Sequence, residues 1–262
     1  MKINKDQSPF FSIITCTYNS EKFIMKNLAS IKSQTFKNYE QIFIDGKSKD
    51  KTTNIIKKFA ENDPKIKVYS FPPKGISDAF NKGIEKSNGK YLFFLNSDDC
   101  LYDEKVLENV SEFLSDKPEL DWIYGKINVV EKNGKSVGIF PKWKIFQISL
   151  RYLLKFINFI PHQAVFMRKE VLEKFGNFDV SLKTNMDYDL WLRTAPRTKV
   201  GFYDRLISSY MIRKGSGSSD SDNKNQDLTY LEMVQKRHLN YFEIIPAKIA
   251  NRIIANVNKT YR

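Results

Sequence analysis

Between residues 10 and 95 the chain repeats one pattern three times: a short run of β-branched and aromatic residues, a polar segment with apolar residues at helical spacing, then another short run. Phe10 to Thr17 (FFSIITCT), Tyr39 to Ile44 (YEQIFI), Ile66 to Tyr69 (IKVY) and Tyr91 to Leu95 (YLFFL) read as strands, buried on both faces where the apolar run is unbroken. Glu21 to Ser33 follows Ser20 as a cap and sets Phe23, Ile24, Leu28 and Ile31 on one helical stripe. Asp50 heads a second helix running to Glu61, and Ser77 to Lys86 forms a third, with Ile76, Phe80 and Ile84 four apart. Strand, crossover helix and parallel strand in succession imply an α/β fold with a mostly parallel sheet flanked by helices. Ligands of such sheets collect at the carboxyl ends of the strands.

After Asp99 the rhythm changes. A helix over Asp103 to Leu114 precedes a hairpin, WIYGKINVVEKNGKSVGIF, in which Asn133-Gly134 signals a two-residue turn. Further helices are expected over Glu170 to Phe175, Asp187 to Thr194, Gln226 to Leu239 and Pro246 to Val257, with a flexible loop at Gly215 to Asp222.

Composition narrows the class. In 262 residues, 43 Lys+Arg against 30 Asp+Glu leave a net charge of +13, which attracts anions: nucleic acid, nucleotide phosphates or an acidic membrane. The cations are spread along the whole chain and no DNA or RNA recognition motif appears, which argues against a nucleic-acid-binding protein. Neither GxGxxG nor GxxxxGK[ST] is present, which argues against a nucleotidyltransferase with a Gly-rich phosphate loop. No apolar run approaches the roughly 18 to 20 residues of a membrane span, and the start MKINKDQSPF lacks a signal-peptide core, so the cytoplasm is the expected compartment. Cys16 and Cys100 are read as reduced thiols.

The chemistry is expected where the strands end. Strand one runs out into Thr17-Tyr18-Asn19, strand two into Asp45-Gly46-Lys47-Ser48, and strand four into Asn96-Ser97-Asp98-Asp99. Adjacent carboxylates repel unless a cation or donor compensates, so Asp98 and Asp99 either hold a divalent metal through hard oxygen donors or cap the turn that follows.

Five segments in order resemble the family 2 glycosyltransferases, which have the GT-A (Rossmann-like) fold and transfer sugar from a nucleotide-sugar donor. They are FSIITCTYNS at 11 to 20, YEQIFIDGKSKDKT at 39 to 52, KGISDAFNKGIEKSNGKYLFFLNSDD at 74 to 99, PHQAVFMRKEVLEKFGNFD at 161 to 179 and MDYDLWLR at 186 to 193. The resemblance implies that Thr17, Tyr18, Asn19 and Asp45 bind the nucleoside, with Asp78 and Asn81 beside the donor; ordinary strand-end and helix-start chemistry is the local alternative for each. The family's metal motif reads here Asn96-Ser97-Asp98, with an amide for the first acid. Asp98 is therefore the implied ligand of Mn²⁺ or Mg²⁺, with Asn96 and Ser97 on the nucleotide. Many relatives place a histidine near the diphosphate where this chain has Arg213, which with Lys214 suits the departing phosphates. His162 and Gln163 are implied on the acceptor side, while His238 is expected at the surface.

In MDYDLWLR the implied catalytic base is Asp187. Residues two apart on a helix point roughly 200° apart, so Asp187 and Asp189 cannot face one pocket, and one acid is functional while the other is structural. The implied reaction is an inverting transfer from a nucleoside-diphosphate sugar, UDP-linked by the family's habit, to a hydroxyl of a saccharide or lipid-linked acceptor in surface polysaccharide synthesis; a catalytically silent partner subunit is the alternative that Asn96 and Arg213 keep open. Residues 1–240 would form the glycosyltransferase domain, with a nucleotide-sugar half at 1–100 and an acceptor half at 101–240, followed by a basic C-terminal helix at 241–262. Lys142 to Ile160 carries Lys142, Lys144, Arg151 and Lys155 among large apolar residues and no acid; it suits an acceptor attached to a lipid diphosphate, an anionic membrane at the inner face of the cell, or a core helix with a basic edge.

Overall fold

The computed structural model describes residues 8–142, 147–213 and 224–260. The Gly215 to Asp222 segment, Lys144 and Lys214 lie outside them.

The first four strands form where the apolar runs predict: β1 (Phe11–Thr17), β2 (Tyr39–Asp45), β3 (Ile66–Ser70) and β4 (Tyr91–Phe94). They pair in parallel in the order β3-β2-β1-β4, and the helices between them are α1 (Ile24–Lys32), α2 (Thr52–Ala60) and α3 (Ile76–Lys86). The unbroken run of β4 is explained by two cores. Leu92 and Phe94 join one layer while Tyr91, Phe93 and Leu95 join the other, as the two-residue period of a strand requires. Each such side chain, fully withdrawn from water, contributes roughly 1.5–3 kcal/mol. Phe93 stacks on Phe166 across the strands at 4.4 Å, and Trp122 on Trp191 at 5.1 Å.

The sheet continues past β4 with mixed directions. The further strands are β5 (Cys100–Leu101), β6 (Trp122–Val130), β7 (Ser136–Phe140), β8 (Val165–Arg168) and β9 (Val200–Met211). β8 lies antiparallel between β4 and β6, β9 runs parallel to β6, and β5 closes the edge antiparallel to β9. β7 shares with β8 the edge of β6 that β9 leaves open. Helices α4 (Val106–Asp116), α5 (Gln147–Leu154), α6 (Lys169–Phe175), α7 (Met186–Thr194), α8 (Lys224–His238) and α9 (Tyr241–Thr260) complete the described chain.

Four local expectations change. Ser20 does not cap α1 with its side chain; its carbonyl accepts the N–H groups of Phe23 and Ile24, and its hydroxyl turns to Ser97 at 2.9 Å. Asn133-Gly134 is not a two-residue turn: Glu131 N–H donates to the Lys135 carbonyl, closing a longer loop with Gly134 at φ +86°. α9 begins at Tyr241 rather than Pro246, because Asn240 and Glu243 exchange side-chain to backbone bonds at 3.0 and 3.1 Å, a capping box. His238 is not a surface group but is largely covered and bonded to Asp189. α3 packs close on β1: a Cβ at Gly83 would lie 2.3 Å from Ile14 Cγ2. That contact fixes the helix that carries Asp78.

Candidate active site

A cavity of about 700 Å³ opens at the carboxyl ends of β1, β2 and β4. Its lining includes Thr17, Tyr18, Asp45, Asp78, Asn96, Ser97, Asp98, His162, Gln163, Asp187 and Arg213. Asn19 and Asn81 lie outside it. Asn19, at φ +50°, donates its N–H to Ser48 Oγ at 3.0 Å and accepts from Lys49 N–H at 2.9 Å, so it fastens two strand-end loops together. Asn81 exchanges two bonds with the backbone of Phe178, tying α3 to the loop before α7.

Asp45 ends β2 fully buried. It accepts from Thr17 Oγ1 at 3.0 Å, Ser48 Oγ at 2.5 Å and Ser48 N–H at 2.9 Å, which makes it the floor of the cavity and the anchor of the 46–48 turn. Above it the Tyr18 ring stands 56% exposed, 3.2 Å from where a Cβ on Gly46 would sit. That is an aromatic face open for stacking by a base. Asp78 pairs with Lys82 across one helical turn. Burial, with the charge of Asp78 adding, pushes the Cys16 thiol up, so this free cysteine on the cavity wall is protonated at neutral pH.

The 96–99 turn is held from behind. Asn27 Nδ2 donates to the carbonyls of Asn96 and Asp99 at 3.0 and 3.1 Å, and Asp99, with no exposed surface, accepts Met211 N–H at 3.0 Å. Burial, reinforced by the charge of Asp98, pushes Asp99 well above the usual carboxylate range. The two adjacent acids thus divide their tasks: Asp99 ties β4 to β9, and Asp98 faces the cavity. There Asp98 Oδ2 accepts from Arg213 Nε at 2.6 Å, and the guanidinium rests on the Phe23 ring at 4.8 Å.

Among the described residues no three His, Cys, Asp or Glu side chains gather as a metal cluster. Asp98 is a hard oxygen donor facing the cavity and would be the residue to hold a divalent cation, which would bring positive charge to that wall. Such a cation would share Asp98 with Arg213.

Asp187 lies in the first turn of α7, behind a left-handed Asn185 at φ +59°. Its Oδ1 accepts Tyr188 N–H at 2.8 Å, and its Oδ2 stands 3.7 Å from His162 Nδ1. On the far side of that ring, Asn96 Nδ2 meets His162 Nε2 at 3.2 Å and Asp99 Oδ2 at 3.2 Å. With Nε2 accepting from the amide, the ring proton sits on Nδ1, turned toward Asp187. The amide at position 96 therefore has a physical role that a carboxylate would not fill in the same way. Asp189 points the other way. It is buried, and it takes His238 Nε2 and Arg193 Nε at 2.8 Å each, while Arg193 also donates to the carbonyls of Phe175, Gly176 and Asn177. Burial alone would raise the Asp189 pKa, but the bonds to His238 and Arg193 outweigh it and hold the carboxyl below its ordinary value.

The residues 12–176 match the family model described as glycosyl transferase family 2. The PGL/p-HBAD biosynthesis glycosyltransferase of Mycobacterium bovis is 30% identical over 206 residues, covering 78% of this chain and 77% of that one. The chain belongs to glycosyl transferase family 2. This glycosyltransferase is also similar in fold to Staphylococcus aureus TarS in complex with UDP-GlcNAc, with a TM-score of 0.69 at 22% identity over 86% of this chain and 65% of that one. A mannosyltransferase from Pyrobaculum calidifontis in complex with GDP-Man and Mn²⁺ superposes with a TM-score of 0.58 at 16% identity, over 96% of this chain and 76% of that one. The mixed sheet flanked by helices is thus of the GT-A type.

Sequence reasoning missed three lining features of the glycosyltransferase. Lys74 and Lys183 bring further cations to the wall, and Asp227, on α8, faces it from the side of Asn185. Lys74 sits in the FPPKG turn, whose Pro-Pro-Lys-Gly composition marks a rigid loop; nothing local marks Asp227.

Proposed function

We propose that the chain is an inverting glycosyltransferase that moves a sugar from a nucleoside-diphosphate donor, UDP-linked, to a hydroxyl of a saccharide or lipid-linked acceptor in surface glycan synthesis. One observation carries the reading: Tyr18 and Asp45 from the early strand ends, Asp98 with Arg213, and Asp187 line a single cavity. Tyr18 stacks the base and Asp45 holds the turn beneath it. Arg213, seated by Asp98, offers charge-assisted hydrogen bonds to the diphosphate as it departs. A divalent cation held by Asp98 supplies, when bound, further positive charge for the phosphate oxygens.

Asp187 takes the proton of the acceptor hydroxyl while that oxygen bonds to the anomeric carbon and the bond to the diphosphate breaks on the opposite face. One base suffices for a single displacement, which inverts the anomeric configuration. His162, turned by Asn96, is a positioning residue that keeps the Asp187 carboxylate aimed at the cavity.

A thermal-shift and hydrolysis panel of UDP-, GDP- and dTDP-sugars, with and without Mn²⁺, tests this. One nucleoside class should raise the melting temperature and be turned over. No shift and no turnover with any donor would overturn the reading.

A further inference from the structure

Two adjacent acids hold the end of β9 against the 96–99 turn. Asp99 Oδ1 accepts Met211 N–H at 3.0 Å, and Asp98 Oδ2 accepts Arg213 Nε at 2.6 Å. Between them Ile212 N–H donates to the Val130 carbonyl of β6 at 2.9 Å, so the backbone leading into Arg213 is fixed from two directions. The guanidinium rests on the ring of Phe23, the residue ahead of α1, at 4.8 Å. Arg213 is thus seated by the end of β4, by β6 and by the start of α1, largely covered and still on the cavity wall. Its position is built into the fold.

The other oxygens of this wall are already engaged. Asp99 takes Asn96 Nδ2 besides Met211 and is buried. The Ser97 hydroxyl pairs with Ser20, Asp45 accepts from Thr17 and Ser48, and Asp78 pairs with Lys82. Asp187 stands beside His162. Asp98 is left as the carboxylate for a divalent ion, and a guanidinium already touches it. An ion arriving there must share the carboxylate with that guanidinium, against the repulsion of a like charge a few ångströms away.

We propose that Arg213 is the resident cation of the diphosphate site: nucleoside diphosphate binds on its charge without a metal, and its contact with Asp98 weakens the hold of that carboxylate on any divalent ion. The proposal rests on the reading of the cavity as a glycosyl-transfer site. A guanidinium is suited to the task because it stays charged throughout the range in which carboxylates and histidines titrate, and no chelator removes it.

The test is calorimetric titration of UDP into the full chain, once in excess Mn²⁺ and once in EDTA. For wild type the affinity should differ less than fivefold between the two media, an arm that needs no variant. For Arg213→Ala, UDP binding should be at least fivefold weaker in EDTA than in Mn²⁺, because only the ion on Asp98 then meets the phosphates. Mn²⁺ alone, with the free ion followed by electron paramagnetic resonance, should bind Arg213→Ala at least fivefold more tightly than wild type, and Asp98→Ala/Arg213→Ala should lose that gain. A wild-type affinity that falls fivefold or more in EDTA, an Arg213→Ala affinity that does not, or Mn²⁺ held as tightly by wild type as by Arg213→Ala would each overturn the proposal while leaving the glycosyl-transfer reading in place. No UDP binding by wild type in either medium would overturn that reading and the proposal with it.

Discussion

Replacing Asp189 by asparagine removes a buried charge without changing the side chain's shape. The wild-type carboxylate accepts two charge-assisted bonds at 2.8 Å, from His238 and Arg193, and each bond of this kind contributes roughly 1.5–3 kcal/mol. Both donors keep about a fifth of their side-chain surface in water and regain part of that loss by hydration. The expected cost is therefore about 2–4 kcal/mol, or on the order of 4–12 °C in melting temperature for a chain of this size. The sign with pH follows from the depressed carboxyl: its contribution is complete above the unfolded value near 3.8 and disappears as pH falls through the lower folded value. Urea and thermal unfolding of wild type and Asp189→Asn at pH 7 and in steps below pH 4 would check both statements. A variant melting within about 1 °C of wild type at pH 7, or a gap that widens in acid, would refute the structural role given to Asp189.

Its neighbour two residues earlier should behave in the opposite way. Asp187→Asn should melt with wild type and bind nucleotide as before while turnover falls about 10²–10⁴-fold, the usual worth of a general base; transfer near the wild-type rate would remove that assignment. Asn96→Asp puts a carboxylate against Asp99 and against the His162 ring, so turnover should fall with little change in nucleotide affinity, and calorimetry beside a rate assay reads the two apart. Arg213→Ala should weaken nucleoside-diphosphate binding about tenfold, and chelation of divalent cations should leave residual binding in wild type that this variant lacks; equal binding by both proteins in EDTA would count against Arg213 as a diphosphate partner. Gly83→Val drives a side chain into Ile14 and should destabilise by about 1–3 kcal/mol, as denaturant midpoints would report.

The first hundred residues were legible because β1, β2 and β4 are buried on both faces, which favours apolar residues along the strand, while the partly buried β3 still announces itself by its short IKVY run. β9 was not foreseen: its middle, Asp204-Arg205, is exposed and polar, and its partner β6 lies some 80 residues away, so neither periodicity nor a local turn announces it. β5 is two residues long and carries no pattern at all. Within the site, the helical angle between Asp187 and Asp189 already separated their directions, and the structure turns Asp189 to Arg193 and His238 while Asp187 lines the cavity. The His238 partnership spans 49 residues and the Arg213 pairing with Asp98 spans 115, distances over which a sequence alone holds no signal. Asn81 sits one turn after Asp78 on α3 and is nonetheless held by Phe178, because the loop packs over that part of the helix and leaves Asp78 at the cavity edge.

The most direct measurement is calorimetric titration of UDP and of UDP-sugars into four proteins: wild type, Tyr18→Ala, Asp98→Ala and Asp187→Asn. Wild type and Asp187→Asn should bind one nucleotide per chain with similar affinity, and the other two should bind at least tenfold more weakly. Equal isotherms for all four, or binding abolished only by Asp187→Asn, would contradict a shared pocket with the nucleotide at the strand ends and the base across from it.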